Sequence, residues 1–105
     1  MNQYLKNQIL HASHDELFLL YLNKCLVLIK SEEFDTSKFL IIIDVLINSL
    51  NREIENSFIN DIDALLNFIQ FEIIEYNLTK KESLKYPIIK VLEDLRDAWG
   101  IRIKS

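Results

Sequence analysis

Few side chains in this chain could do chemistry, and none sits in company that would make it reactive. His11 and His14 are three apart, a spacing that can place two ring nitrogens on one helical face. A zinc or iron site needs more ligands than that, and no Cys or carboxylate cluster accompanies them. Ser13 also predicts that a helix starts between the two, so they read as solvated surface histidines. A di-iron bundle needs Glu-x-x-His pairs on facing helices, and the sequence has none. Cys25 lies among apolar neighbours with no His nearby in sequence, which suits a buried or groove-lining thiol rather than a nucleophile. A single glycine rules out a Gly-rich phosphate loop. Acidic pairs such as Glu32/Glu33 and Glu93/Asp94 read as solvated faces. The expectation is a protein that is not an enzyme and uses neither cofactor nor metal.

What remains is surface. Residues 17–29 read LFLLYLNKCLVLI and residues 39–50 read FLIIIDVLINSL. Both segments are apolar on nearly every side, and a helix of that kind must be covered nearly all round. A chain of 105 residues has room for one domain with one core, so 1–105 is read as a single unit. Size scaling leaves about a third of its surface outside. Half of its residues are hydrophobic, so some apolar side chains must sit in that third. The question is whether they are scattered or gathered.

One Gly and one Pro leave almost no turn punctuation, and the apolar runs follow helical spacing, so the fold class is all-α. The net charge of −4, without a basic face, gives no support for nucleic acid. The start MNQYLKNQIL lacks the charge-then-apolar order of a secretory signal. Neither greasy segment approaches the roughly 20 residues that cross a bilayer. With one cysteine and no disulfide partner, a cytoplasmic setting is expected.

Residues 1–12 form an arm without a helical stripe. Ser13 and Glu16 fit a capping box that opens a first helix, running to about Lys30. Asp35 or Thr36 caps a second helix, to about Arg52. A third spans roughly residues 57–77. Thr79 and Glu82 give a second capping-box pattern. Pro87 suits a first helical position, so the last helix is expected from Pro87 to about Trp99, with Gly100 as its stop. Short links make neighbours antiparallel, giving a four-helix bundle.

On a helical projection the last helix has one apolar side: Ile88, Val91, Leu92, Leu95, Ala98 and Trp99. The others have more. The third helix has a core stripe of Phe58, Ile62, Leu65, Leu66, Ile69, Ile73 and Tyr76, with Ala64, Phe68, Phe71, Ile74 and Leu78 well away from it. The second has Phe39, Ile42, Ile43, Leu46, Ile47 and Leu50 on its core side and Ile41 and Val45 on the far side. In the first, Leu20 and Val27 fall outside a broad apolar arc. If two such helices lie side by side, their second stripes would line a groove that fits an amphipathic helix. The same stripes could instead pair with themselves in a homo-oligomer.

Several segments carry a family resemblance in order along the chain. Tyr4-Leu5-Lys6-Asn7-Gln8-Ile9 is similar to a Tyr-x-x-Asn-x-Val/Ile arm. Ala12-Ser13-His14-Asp15-Glu16-Leu17 is similar to an Ala-Ser-Pro-Glu-Glu-Leu helix start. Asn48-Ser49-Leu50-Asn51 resembles Ser-Ser-Leu-Asp/Asn, and Asp63-Ala64-Leu65-Leu66 resembles Asp-Ala-Leu-Tyr. Most specific is Leu92-Glu93-Asp94-Leu95-Arg96-Asp97-Ala98-Trp99, close to Leu-Glu-Glu-Leu-Arg-Glu/Asp-Ala/Thr-Trp. Together these resemble the flagellar secretion chaperones of the FliS family. The family's Leu-Tyr-Asp-Gly reads Tyr21-Leu22-Asn23-Lys24 here, and the link at residues 31–35 is shorter than the family's.

The resemblance implies an antiparallel bundle that binds the disordered C-terminal segment of flagellin in the cytoplasm. The bound segment becomes helical, premature polymerisation is blocked and delivery to the type III export apparatus is aided, with the export gate as a further partner. It also implies that Tyr4, Asn7 and Ile9 fold over part of the groove in the free chaperone. The client would lie against Ile41, Val45, Ala64, Phe68, Phe71, Ile74 and Leu78. The chain itself is expected as a monomer or weak homo-dimer.

Overall fold

The computed structural model describes residues 14–50 and 57–104. Within them lie four helices: α1, His14–Lys30; α2, Thr36–Ser49; α3, Ser57–Thr79; and α4, Lys85–Lys104. A 3₁₀ turn, Glu82–Leu84, precedes α4. The described residues contain no strand, and none of their helices is long and apolar enough to cross a membrane.

Each helix packs on its two ring neighbours: α1 on α2 and α4, α3 on α2 and α4. Contacts between element starts and ends fix the directions. Thr36 at the start of α2 hydrogen-bonds Asn77 near the end of α3, at 3.1 Å. Phe18 at the start of α1 stacks on Trp99 near the end of α4, with centroids 4.2 Å apart. Phe58 at the start of α3 reaches the same indole at 5.6 Å. The bundle is all-α and antiparallel, as the sequence predicts.

α2 forms against its local preference. Three consecutive isoleucines lose side-chain freedom in a helix. The Asp35 carboxylate caps it by accepting from the Lys38 N–H at 3.0 Å. Packing does the rest: Phe39, Ile43, Leu46 and Ile47 are buried. Each such side chain contributes roughly 1.5–3 kcal/mol when withdrawn from water. They join Phe18, Leu22, Leu26 and Ile29 of α1, Ile62, Leu66, Ile69 and Ile73 of α3, and Ile88, Leu92, Leu95 and Trp99 of α4 in one core.

The projected core is right for most positions. Ile42, Phe58 and Val91 are half-buried, whereas Leu65 and Ala98 are exposed. Both of these sit at the flank of their stripes, where the neighbouring helix fails to reach. The helix ends also move. α2 stops at Ser49, short of Arg52, and its C-terminal Leu50 turns into the core. α3 runs two residues past Asn77 and ends on Lys80, whose φ of 57° is left-handed. Its N–H donates to the Tyr76 carbonyl at 2.7 Å and closes the helix.

α4 begins at Lys85, two residues before Pro87. A proline there removes only an N–H that no helix would use, because the first four have no internal acceptor. The Thr79/Glu82 capping box does not form. Thr79 is the last residue of α3 and its hydroxyl donates to the Glu75 carbonyl, while Glu82 accepts from Tyr76 and Lys85.

At the other end α4 runs straight through Gly100. A Cβ at that position would meet nothing within 4 Å. Gly100→Ala should therefore raise stability by about 0.5–1 kcal/mol, read as a higher urea midpoint. A lower midpoint would mean that α4 needs the glycine.

Candidate functional site

Most of the exposed large apolar side chains lie on α2 and α3. Ile41, Val45, Phe68, Phe71, Ile74 and Leu78 are all exposed, as is Ala64. All seven residues singled out on the two middle helices thus lie outside the core. Tyr4, Asn7 and Ile9, the expected arm residues, lie outside the described residues.

The helical repeat of about 100° per residue, with two contacts as markers, places them relative to one another. On α3 the line of Ala64, Phe68, Phe71 and Leu78 points directly away from Ile62, Leu66, Ile69 and Ile73. Asn77, bonded to Thr36, marks the flank of α3 that faces α2. Phe58, against Trp99, marks the flank that faces α4. Ile74 falls on the α2 side, Phe71 and Leu78 lean the same way, and Phe68 leans toward α4. On α2, Ile41 points directly outward, while Val45 turns toward α1.

The groove was expected between α2 and α3; on this projection the exposed residues make up the outward face of these two helices. Ile41, Phe71, Ile74 and Leu78 share its centre. Val45 and Phe68 sit at its two margins, and Ala64 continues the outward line. The physical reason lies in the core. Each helix uses a narrow buried stripe, so most of its second stripe lies opposite that stripe, with Ile74 turned toward α2.

Two further apolar features were not assigned. Leu65 adds to the face from the α4 side because it is exposed rather than core. Around the bundle, α1 and α4 enclose an open cleft of about 480 Å³ lined by Leu19, Asn23, Arg96, Asp97, Gly100 and Ile101. Ile101 lies outside the projection because the helix was expected to end at about Trp99. The stray positions Leu20 and Val27 of α1 are exposed, as projected.

The groups with chemical potential are placed as follows. Cys25 is fully buried, and burial pushes its thiol up to about 12. A water-soluble thiol reagent at pH 8 should label the native chain at least about a hundredfold more slowly than the denatured chain. Rapid labelling of the folded chain would place Cys25 on an open surface instead. His11 lies outside the described residues, and His14 opens α1. Among the described residues, no three His, Cys, Asp or Glu side chains converge on a common point. Acidic Glu93 meets Lys30 at 3.7 Å, and Asp94 meets Lys90 at 3.0 Å; both pairs are solvent-exposed.

Residues 29–104 match the family model described as flagellar protein FliS. The matched stretch holds α2, α3, α4 and the three motifs at residues 48–51, 63–66 and 92–99. The arm motif and the helix start at residues 12–17 lie before it. No curated protein and no solved structure matches the chain. With well over half of its residues matched, including the whole of its three last helices, the chain belongs to the FliS family of flagellar export chaperones.

Proposed function

We propose that the chain is a cytoplasmic chaperone for flagellin that binds the disordered C-terminal segment and carries no catalytic activity. The segment would fold into amphipathic helix on the α2/α3 face. Its apolar stripe, otherwise free to nucleate polymerisation, would be covered until delivery to the type III export apparatus and its gate. Tyr4, Asn7 and Ile9 would shield part of that face in the absence of client.

The observation that carries this reading is the exposure of Ile41, Phe71, Ile74 and Leu78 on two adjacent helices that already own a complete core. A contiguous apolar patch on a small folded chain marks an interaction surface. Side chains at i, i+3 and i+7 along α3 (Phe71, Ile74, Leu78) match the spacing with which helices pack ridge into groove. Folding a disordered partner costs about 2–5 kcal/mol of the gross interaction, which a contact burying about 1,000–3,000 Å² can offset.

Calorimetry with a synthetic peptide of the flagellin C-terminal segment, joined to sedimentation, tests this. Saturable one-to-one binding with a negative heat-capacity change supports it. A chain that ignores the peptide and self-associates through the same face would make it a homo-oligomer instead.

A further inference from the structure

The link at residues 31–35 crosses one end of the bundle, and Phe34 is half-buried there. Its ring meets Phe39 edge-on at 5.4 Å and Tyr76 at 5.6 Å. Lys85, the first residue of α4, sends its ammonium into the same corner, and only 14% of its side chain stays exposed. The nitrogen lies 5.3 Å from the Phe34 centroid, 5.1 Å from the Tyr76 centroid and 3.0 Å from the Glu82 carboxylate. The Tyr76 hydroxyl donates to that carboxylate at 3.0 Å.

An apolar side chain of similar length would fill this corner without withdrawing a charge from water. What a cation adds is direction. Two ring faces and one carboxylate attract it at once, so it holds the three against one another. Those three belong to the 31–35 link, the end of α3 and the turn before α4. Burial works against the ammonium. Hydrogen bonds to Glu82 and Tyr76 outweigh it and hold the Lys85 pKa above the ordinary lysine value. Hydrogen bonds from Lys85 first and from the Tyr76 hydroxyl second hold Glu82 below the ordinary glutamate value.

We propose that Lys85 is a positioning residue: it clamps the 31–35 link, and with it the first turn of α2, to the last turns of α3. The Thr36–Asn77 hydrogen bond lies in the span so restrained. The clamp thereby sets the spacing of the two helices that bear Ile41, Phe71, Ile74 and Leu78. Only that last effect, on the client, rests on the function proposed above.

Segment-resolved hydrogen exchange on the full chain decides it. Lys85→Met keeps the length and removes the charge, while Lys85→Arg keeps a cation that can stack on both rings. Lys85→Met should speed exchange about tenfold in residues 36–39 and 76–84 and leave the middles of α1 and α4 unchanged. Lys85→Arg should restore most of the protection. Affinity for the flagellin C-terminal peptide should fall several-fold in Lys85→Met. Exchange that is unchanged, or faster evenly through all four helices, would overturn the clamp. Local loosening at constant affinity would overturn its role in positioning the face. Should the unaltered chain ignore the peptide, the client reading falls, and the exchange pattern still supports or overturns the clamp.

Discussion

Phe71→Asp should weaken binding of the flagellin C-terminal peptide by roughly thirtyfold or more, while the far-ultraviolet circular dichroism of the chain stays as it was. The size follows from what an aromatic anchor at the centre of an interface contributes, about 2 kcal/mol or more on removal. Placing a carboxylate against an apolar stripe adds a desolvation cost to that loss. The fold is spared because the Phe71 side chain is 67% exposed and stands opposite the buried stripe of α3. Phe68→Asp should cost less affinity, since Phe68 is 40% exposed and leans toward α4 at the margin of the face. Equal affinity of the Phe71 variant and the unaltered chain, measured by calorimetry, would remove the α2/α3 face from the client's path.

The second large effect is on stability. Trp99→Ala should cost about 3–5 kcal/mol, the range for emptying a large aromatic site in a packed core. Trp99 is 2% exposed and meets the rings of Phe18 and Phe58, so its loss loosens α1, α3 and α4 together. Domains of this size hold about 5–15 kcal/mol in all. The variant should therefore melt roughly 15–30 °C lower, as thermal denaturation followed by circular dichroism will show. A drop of only a few degrees would mean that the indole is peripheral. Serine at Ala98, its exposed neighbour, should cost only about 0.5 kcal/mol, the difference in helix propensity.

Most of the architecture was legible because helical periodicity is a local property. Most of the buried positions on α2 and α4 follow from spacing, and of the two caps that the sequence offers, Asp35 and Thr36, the structure uses Asp35. Gly100 misled for a physical reason. A glycine closes a helix where the chain turns left-handed, and Gly100 has no positive φ and stays within α4. Leu65 and Ala98 misled because a wheel shows the angle of a side chain but not the distance to the next helix. The exposed set on α2 and α3 was legible in the sequence, but its arrangement was not. Projection shows that Ile41 and Val45 share the far side of α2. Only the Thr36–Asn77 contact shows which edge of that side looks toward α3. Lys85 was invisible to the sequence, since its partners come from three separate segments and none stands at a recognisable spacing from it.

The Phe18–Trp99 stack has a consequence for connectivity. It brings the first turns of α1 and the last turns of α4 side by side at one pole. The packing thus fixes the cyclic order of the helices and is indifferent to where along the cycle the backbone is opened. A short connector from the end of α4 to the start of α1, with new termini opened between other neighbours, should give a circular permutant that folds to the same bundle, because closing a short loop between near points costs little entropy.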